Sequence, residues 1–239
     1  MKIFAANFKM NKGQKETAEY LADFNPKCND ARVMVAVPFT SLSATKNAKK
    51  QVEIGAQNVH FAPSGAYTGE ISAEMLVEAG ATFCIVAHSE RRKYFGETDE
   101  TAAKRAKAAI DAGLDVIFCI GEDLAVREKG TFKRKLTTQL KNGLKSIDDS
   151  THLIVAYEPV WAIGTGKVAD VDTIAETHAH IRKFLNKKYN KFVPILYGGS
   201  VSEKNVAGIC ATKNVDGVLV GGASLDSARM KELILNGNK

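Results

Sequence analysis

VPILYGGSVSEKNVAGICATKNVDGVLVGG, residues 193–222, contains two short runs rich in β-branched and aliphatic residues, each followed by a glycine pair. The runs cover residues 193–197 and 215–220, and they are mostly continuous rather than alternating in polarity. Strands of a parallel sheet that is buried on both faces show this pattern. The residues between the two runs leave room for one crossover helix. The stretch therefore predicts a strand–helix–strand unit.

Similar runs recur along the whole chain, and we count eight of them. Their starts lie 20 to 40 residues apart, which leaves room for a helix after each strand. The eight predicted strands cover residues 3–7, 33–37, 53–57, 83–87, 115–120, 153–157, 193–197 and 215–220.

Helix start and stop signals lie between several of these runs. Ser72 is a predicted N-cap for a helix over residues 73–79, and Gly80 follows its end, where a positive φ costs little. Four further helix starts are predicted: at Thr98 or Asp99 (ending at Gly113), at Asp170 (ending near Tyr189), at Ser202 and at Ser224.

Eight βα units can form an open doubly wound sheet or a closed (β/α)8 barrel. An open sheet would leave two edges to protect, and the dinucleotide-binding pattern G-x-G-x-x-G is missing after the first strand. We see no linker or shift in composition. The sequence therefore favours an α/β protein that is a closed (β/α)8 barrel, with residues 1–239 as a single domain.

The charge balance narrows the classes of partner. The chain has 33 Lys and Arg against 27 Asp and Glu, a net charge of +6. Its basic runs are short and have no interleaved aromatic residues, so we expect no nucleic-acid partner. The excess of positive charge favours a small anionic ligand or no specific partner.

Cysteine spacing and hydropathy indicate whether the sequence contains a metal site or a membrane-spanning segment. The four cysteines stand far apart without C-x-x-C pairs, which indicates reduced thiols and no metal site. The apolar run at the start is too short for a signal peptide, and no stretch approaches membrane-spanning length. We therefore expect a cytoplasmic protein with no membrane partner.

Chemically useful side chains follow three of the predicted strands. Asn7 and Lys9 follow the first, His88 and Glu90 the fourth, and Glu158 the sixth. In a barrel the carboxyl ends of all strands meet at one rim, so a base, a neutral donor and a cation would converge there. Each residue alone could equally serve as a helix cap, an ion-pair partner or a structural histidine.

Glycine pairs follow the seventh and eighth strands, where phosphate sites lie in such barrels. Backbone N–H groups can approach a phosphate there, with Ser200 or Ser224 opening a helix aimed at it. Tight turn geometry remains the alternative explanation. Residues 159–169 form a long connection with the chain's only Trp, which indicates either a hinged lid or a loop that covers core.

Five separated segments, in order, resemble the triosephosphate isomerase family. They are NFKMN (7–11), AHSERR (87–92), AYEPVWAIGTGK (156–167), YGGSV (197–201) and DGVLVGGAS (216–224). The resemblance implies a (β/α)8 fold, no cofactor, a role in glycolysis, and interconversion of dihydroxyacetone phosphate with glyceraldehyde 3-phosphate.

The resemblance also implies roles for five residues. Glu158 would be the base that moves a carbon-bound proton, and His88 a neutral electrophile that polarises the carbonyl. Lys9 would place positive charge near the substrate, and Asn7 would donate a hydrogen bond. Glu90 would support catalysis, with an ion pair as its alternative role.

Phosphate binding and dimerisation are implied in the same way. The N–H groups of Gly164, Ser200, Gly221 and Gly222 would bind the phosphate. A loop containing Thr68 would insert into a second copy of the chain and form a homodimer.

Three positions depart from the common pattern of the family, and two other readings stay open. Ala6 and Ala87 stand where Gly is usual, and Phe8 where Trp is usual. Ala87 adds a methyl group next to His88, which puts local packing in doubt. The alternatives are a different sugar-phosphate isomerase of barrel fold and a non-catalytic binder of phosphate ligands.

Overall fold

The structure is a computed structural model that describes residues 1–28, 30–46, 48–163 and 169–239. Eight parallel strands form a closed barrel in which each strand pairs with its neighbours in sequence order, and β8 closes onto β1. The strands are β1 (Lys2–Asn7), β2 (Ala31–Val37), β3 (Val52–Ala56), β4 (Phe83–Val86), β5 (Asp115–Ile120), β6 (Leu153–Tyr157), β7 (Ile195–Tyr197) and β8 (Gly217–Val220).

All eight predicted strands are confirmed, and the closed barrel with them. The predicted ends agree with the observed ends to within two residues. The strand predicted from Val193 begins only at Ile195, because Pro194 has no N–H group to donate to the sheet. The carbonyl of Pro194 still accepts a hydrogen bond from the Val155 N–H at 2.9 Å.

Helices surround the barrel. Within the described residues they are α1 (Gln14–Asp23), α2 (Ala73–Glu78), α3 (Ser89–Tyr94), α4 (Asp99–Asp111), α5 (Leu124–Glu128), α6 (Phe132–Gly143), α7 (Val171–Lys188), α8 (Val206–Ala211) and α9 (Ser227–Gly237). The predicted caps of α2, α4 and α7 are confirmed, because Ser72, Thr98 and Asp170 each accept a backbone N–H of the first turn. Accepting the Thr173 N–H lowers the pKa of Asp170.

Two predicted helix starts are wrong. Ser202 does not open α8, which begins four residues later, after Asn205; the Asn205 Oδ1 accepts the Ser202 N–H at 2.8 Å. Ser224 does not open α9 either. It lies in the 3-10 turn Gly222–Leu225, where its hydroxyl donates to the Gly221 carbonyl at 2.7 Å, and Asp226 caps α9 instead. Neither serine therefore opens a helix, and the prediction that Ser200 or Ser224 opens a helix aimed at a phosphate is wrong for both residues.

Side chains fill the barrel in two layers. The inner layer consists of Ile3, Ala5, Met34, Ala36, Phe83, Ile85, Ile117, Cys119, Ile154, Ala156, Leu196 and Leu219. The outer layer, between strands and helices, takes the intervening strand residues, such as Val86 and Tyr157. Alternation along each strand therefore decides which side chains face the interior and which face the helices. At the carboxyl ends of the strands, the interior positions open onto the rim.

The structure also bears on membranes, metals and thiols. In the residues described, no helix combines the length and apolar character that a membrane crossing requires. The same residues hold no group of three or more His, Cys, Asp or Glu side chains placed to bind a metal. Three of the four free cysteines are buried, and Cys28 is half-buried.

Candidate active site

A cavity of about 220 Å³ opens at the carboxyl ends of the strands. Typical pockets for drug-sized ligands measure about 300–1,000 Å³, so this cavity suits a small metabolite. Seven predicted site residues line it: Asn7, Lys9, His88, Glu158, Ser200, Gly221 and Gly222. The remaining lining residues are Ile163, Gly198, Gly199, Val201 and Leu219.

Glu158 reaches the cavity because it continues the alternation of β6. Ile154 and Ala156 face the barrel interior, so the next interior position is residue 158. The carboxylate is only 2% exposed. Ser89 holds it with two hydrogen bonds, from its N–H to Oε2 at 2.9 Å and from its hydroxyl to Oε1 at 3.2 Å. A buried carboxylate with satisfied acceptors is thereby available at the cavity wall.

His88 precedes the first residue of α3, and its ring lies against Glu158. The Nε2 atom lies 3.0 Å from Glu158 Oε1. The Nδ1 atom accepts the Glu90 N–H at 3.3 Å, so a neutral ring carries its proton on Nε2. The imidazole therefore presents an N–H donor to the same space that the Glu158 carboxylate borders.

Ala87 has a left-handed backbone with φ +64°. This conformation costs a residue other than glycine about 1–2 kcal/mol. The Ala87 N–H donates to Glu97 Oε1 at 2.8 Å, and its carbonyl accepts from Arg92 Nε at 3.0 Å. The methyl group is buried in the outer layer. The departure at this position is thus a buried alanine in a conformation that favours glycine.

Asn7 and Lys9 line the same cavity. Asn7 is buried, and its Oδ1 accepts the Lys9 N–H at 2.9 Å, which supports the left-handed backbone of Lys9 at φ +53°. The Lys9 ammonium lies 2.6 Å from Glu90 Oε1. Glu90 itself lines an adjoining cavity of about 260 Å³ rather than the main one. In this structure Glu90 therefore forms the ion pair that was its alternative role.

Three of the predicted phosphate-binding residues, Ser200, Gly221 and Gly222, line the cavity. A Cβ added at Gly221 would lie 3.2 Å from Lys9 Cε, so glycine allows the lysine stem to pass close to the backbone. The Ser200 hydroxyl donates to the Ala162 carbonyl at 2.6 Å and links the loop after β7 to the segment after β6. Gly164 lies outside the described residues. Thr68 lies in an exposed loop and borders neither of these two cavities.

Sequence reasoning missed Ser89, although it stands inside the segment AHSERR. It also missed Glu122, which follows β5. The buried Glu122 carboxylate accepts hydrogen bonds from Arg127, from the Tyr157 hydroxyl at 3.0 Å and from Trp161 Nε1 at 3.1 Å. Its backbone carbonyl accepts the Val160 N–H at 3.0 Å. A Glu at a strand end was the available signal, and Glu122 anchors the segment that follows Glu158.

Burial and a neighbouring carboxylate raise the pKa values of two side chains near the cavity. Burial, followed by the charge of Glu158, raises the pKa of the Cys119 thiol well above its usual value, so this thiol stays protonated. Burial and the charge of Glu122 likewise raise the pKa of Tyr157. Both side chains therefore remain neutral donors at ordinary pH.

Comparison with known proteins addresses the family. The family model described as triosephosphate isomerase matches residues 2–236, nearly the whole chain. The chain belongs to the triosephosphate isomerase family. It is 47% identical over 240 residues to the triosephosphate isomerase of Synechocystis sp., covering 97% of each chain. It is 46% identical over 234 residues to that of Geobacter metallireducens, covering 93% of each.

A solved relative supports the same family at the level of structure. The crystal structure of triosephosphate isomerase from Bartonella henselae superposes with a TM-score of 0.91 at 35% sequence identity. The alignment covers 100% of this chain and 99% of that one. As a member of the triosephosphate isomerase family, the chain is an enzyme of the isomerase class.

Proposed function

We propose that this chain interconverts dihydroxyacetone phosphate and glyceraldehyde 3-phosphate through an enediolate, without a cofactor. The observation that carries the proposal is the pairing of Glu158 and His88 in one small cavity, with Nε2 and Oε1 3.0 Å apart. Lys9 lines the same cavity and supplies positive charge. Family membership supports the same reaction.

Glu158 acts as the base. It removes a proton from the carbon next to the carbonyl and returns it to the neighbouring carbon, which exchanges ketose for aldose. In the structure Ser89 donates two hydrogen bonds to the carboxylate, and His88 Nε2 lies 3.0 Å from it. Substrate binding must therefore draw the carboxylate away from Ser89. Since the carboxylate is buried, few waters compete for the proton.

His88 acts as the electrophile. Its Nε2–H donates to the substrate oxygens and stabilises the charge that develops on the enediolate. The Glu90 N–H at Nδ1 favours the tautomer with its proton on Nε2, which this role requires. Asn7 and Lys9, which line the same cavity, stabilise the same charge, and Glu90 supports catalysis by holding the Lys9 ammonium at 2.6 Å.

The phosphate end binds on the glycine side of the cavity. The N–H groups of Ser200, Gly221 and Gly222 bind the phosphate dianion, with that of Gly164 as a fourth donor. The first three residues line the same cavity as His88 and Glu158. Binding energy from the phosphate then helps to position the reacting carbons against Glu158.

We extend the proposal to the setting of the enzyme. The chain is a single domain, since β1 to β8 close one barrel, and it works in the cytoplasm as a glycolytic enzyme without nucleic-acid or membrane partners. Its active form is a homodimer in which the Thr68 loop docks beside Lys9 of the second copy. Met10 and Phe95 line the cavity of about 260 Å³ that also contains Lys9, and they are 97% and 68% exposed. These exposed apolar side chains support an interface with a second copy at this place.

The test compares wild type with Glu158→Gln and Glu158→Asp in the isomerisation of glyceraldehyde 3-phosphate. The Gln variant should lose several orders of magnitude in kcat while it keeps most of its affinity for a phosphate ligand. In D₂O, wild type should place solvent deuterium on the carbon that receives the proton. An inactive wild type, or a fully active Gln variant, would refute the proposal.

A further inference from the structure

The orientation of the His88 side chain does not follow the alternation of inward and outward side chains along β4. In β4, Phe83 and Ile85 face the barrel interior, while Cys84 and Val86 face the helices. Continued alternation would place residue 87 in the interior and residue 88 outside. The structure shows the reverse, because Ala87 belongs to the outer layer and His88 lines the cavity.

The left-handed residue resolves this problem. The φ of +64° at Ala87 turns the chain at the end of β4, so that two consecutive side chains, those of Val86 and Ala87, face the helices. The ring of His88 then points into the cavity. An alanine adopts this conformation several-fold less readily than glycine, so something outside the residue must hold it.

Two charged side chains hold the peptide groups on either side of Ala87. Glu97 accepts the N–H at 2.8 Å, and Arg92 donates to the carbonyl at 3.0 Å. Each is fixed by a partner of opposite charge, Glu97 by Arg91 at 2.8 Å and Arg92 by Asp99 at 2.6 Å. Glu97 is almost fully buried, so its hydrogen bond is shielded from water.

We propose that Glu97 and Arg92 are positioning residues for His88, and that they act by keeping Ala87 left-handed. Neither lines the main cavity, so neither is a catalytic residue. The inference rests on the proposed function, because it assigns to His88 the electrophile's role. It predicts that loss of the Glu97 hydrogen bond lowers the fraction of molecules whose imidazole faces the substrate.

The test measures kcat and KM for Glu97→Ala and Glu97→Gln, each with and without Ala87→Gly. Glu97→Ala should lower kcat at least about tenfold and leave KM within about twofold, because the phosphate-binding side is untouched. Glu97→Gln keeps an acceptor oxygen and should retain more activity. Ala87→Gly should raise kcat of the Glu97 variants by about fivefold more than it changes wild type.

A readout without substrate accompanies the kinetics. The ¹⁵N spectrum of the His88 ring should show one tautomer in wild type, with distinct Nδ1 and Nε2 signals. In Glu97→Ala the two signals should move towards each other, because a ring released from the cavity exchanges tautomers in water.

A matched control lies at the opposite end of the barrel. Asp216 accepts the Ile195 N–H at 2.7 Å and pairs with Arg182, the same arrangement as Glu97 with Ala87 and Arg91. Asp216→Asn should leave kcat and the His88 signals unchanged in folded protein.

The outcomes separate this inference from the proposed function. An inactive wild type would overturn the proposed reaction and leave the ¹⁵N result to decide the positioning role. With an active wild type, the inference is overturned if Glu97→Gln and Glu97→Ala lose activity equally, if Ala87→Gly gives no extra rescue, or if Asp216→Asn loses as much kcat.

Discussion

Removal of the Arg127 side-chain charge should destabilise the protein strongly. The Glu122 carboxylate is fully buried, and Arg127 supplies its only cation among the described residues, with Nη2 2.7 Å and Nε 2.9 Å from Oε1. The Arg127 guanidinium also lies over the Phe132 ring, with Cζ 3.7 Å from the ring centroid, and in Arg127→Met a long apolar side chain replaces it. The variant therefore tests the charge rather than the bulk.

The size of the effect follows from the contacts. Leaving a buried charge without its partner costs about 3–5 kcal/mol. The Tyr157 hydroxyl at 3.0 Å and Trp161 Nε1 at 3.1 Å still donate to the carboxylate, so we expect the lower end, about 3 kcal/mol. The double variant Glu122→Gln with Arg127→Met removes both charges and should lose less than half of that.

The assay is urea unfolding at one fixed protein concentration, since oligomerisation changes apparent stability. As control, Lys107→Met removes the exposed pair with Asp111 and should cost under about 0.5 kcal/mol. The reasoning is refuted if Arg127→Met loses less than about 1 kcal/mol, a third of the expected cost. It is also refuted if the double variant is no more stable than the single one.

Three further changes test other parts of the structure. Burial lowers the pKa of His178 to about 4, so the free energy of unfolding of wild type should fall as pH drops from 6.5 towards 4. His178→Gln should reduce the slope of that free energy against pH by about 1.4 kcal/mol per pH unit. An unchanged slope in urea unfolding would contradict this. Gly221→Ala should push Lys9 aside and raise KM about fivefold, whereas an unaltered KM would argue against the close approach. Thr68→Arg should convert a dimer into a 25.8 kDa monomer in light scattering, and an unchanged mass would exclude that docking loop.

The strands and part of the site could be predicted from sequence because both follow local periodicity. Continuous β-branched runs identify strands buried on both faces, and all eight runs correspond to strands of the barrel. Alternation along β1 and β6 places Asn7 and Glu158 at the mouth of the barrel. The positions of these two side chains can therefore be predicted without knowing any contact between distant parts of the chain.

Other features depend on contacts that spacing does not encode. Alternation alone would turn His88 outwards, and the correct orientation depends on a left-handed residue held by Glu97, ten positions away. Ser202 and Ser224 have the right chemistry to cap a helix, but Asn205 and Asp226 lie closer to the segments that become helical. Glu122 was missed because two of its partners, Tyr157 and Trp161, lie 35 and 39 residues away in the sequence.

The proposed electrophile, His88, and the proposed base, Glu158, share one support in the structure. The carboxylate of Glu158 rests on the amide and hydroxyl of Ser89, the residue that immediately follows His88. If α3 shifts as a rigid piece, imidazole and resting carboxylate travel together, and their mutual spacing survives while their distance to Lys9 changes. In the substrate-free state, small displacements of this helix would therefore change the distance of both groups from Lys9 before they change the distance between His88 and Glu158.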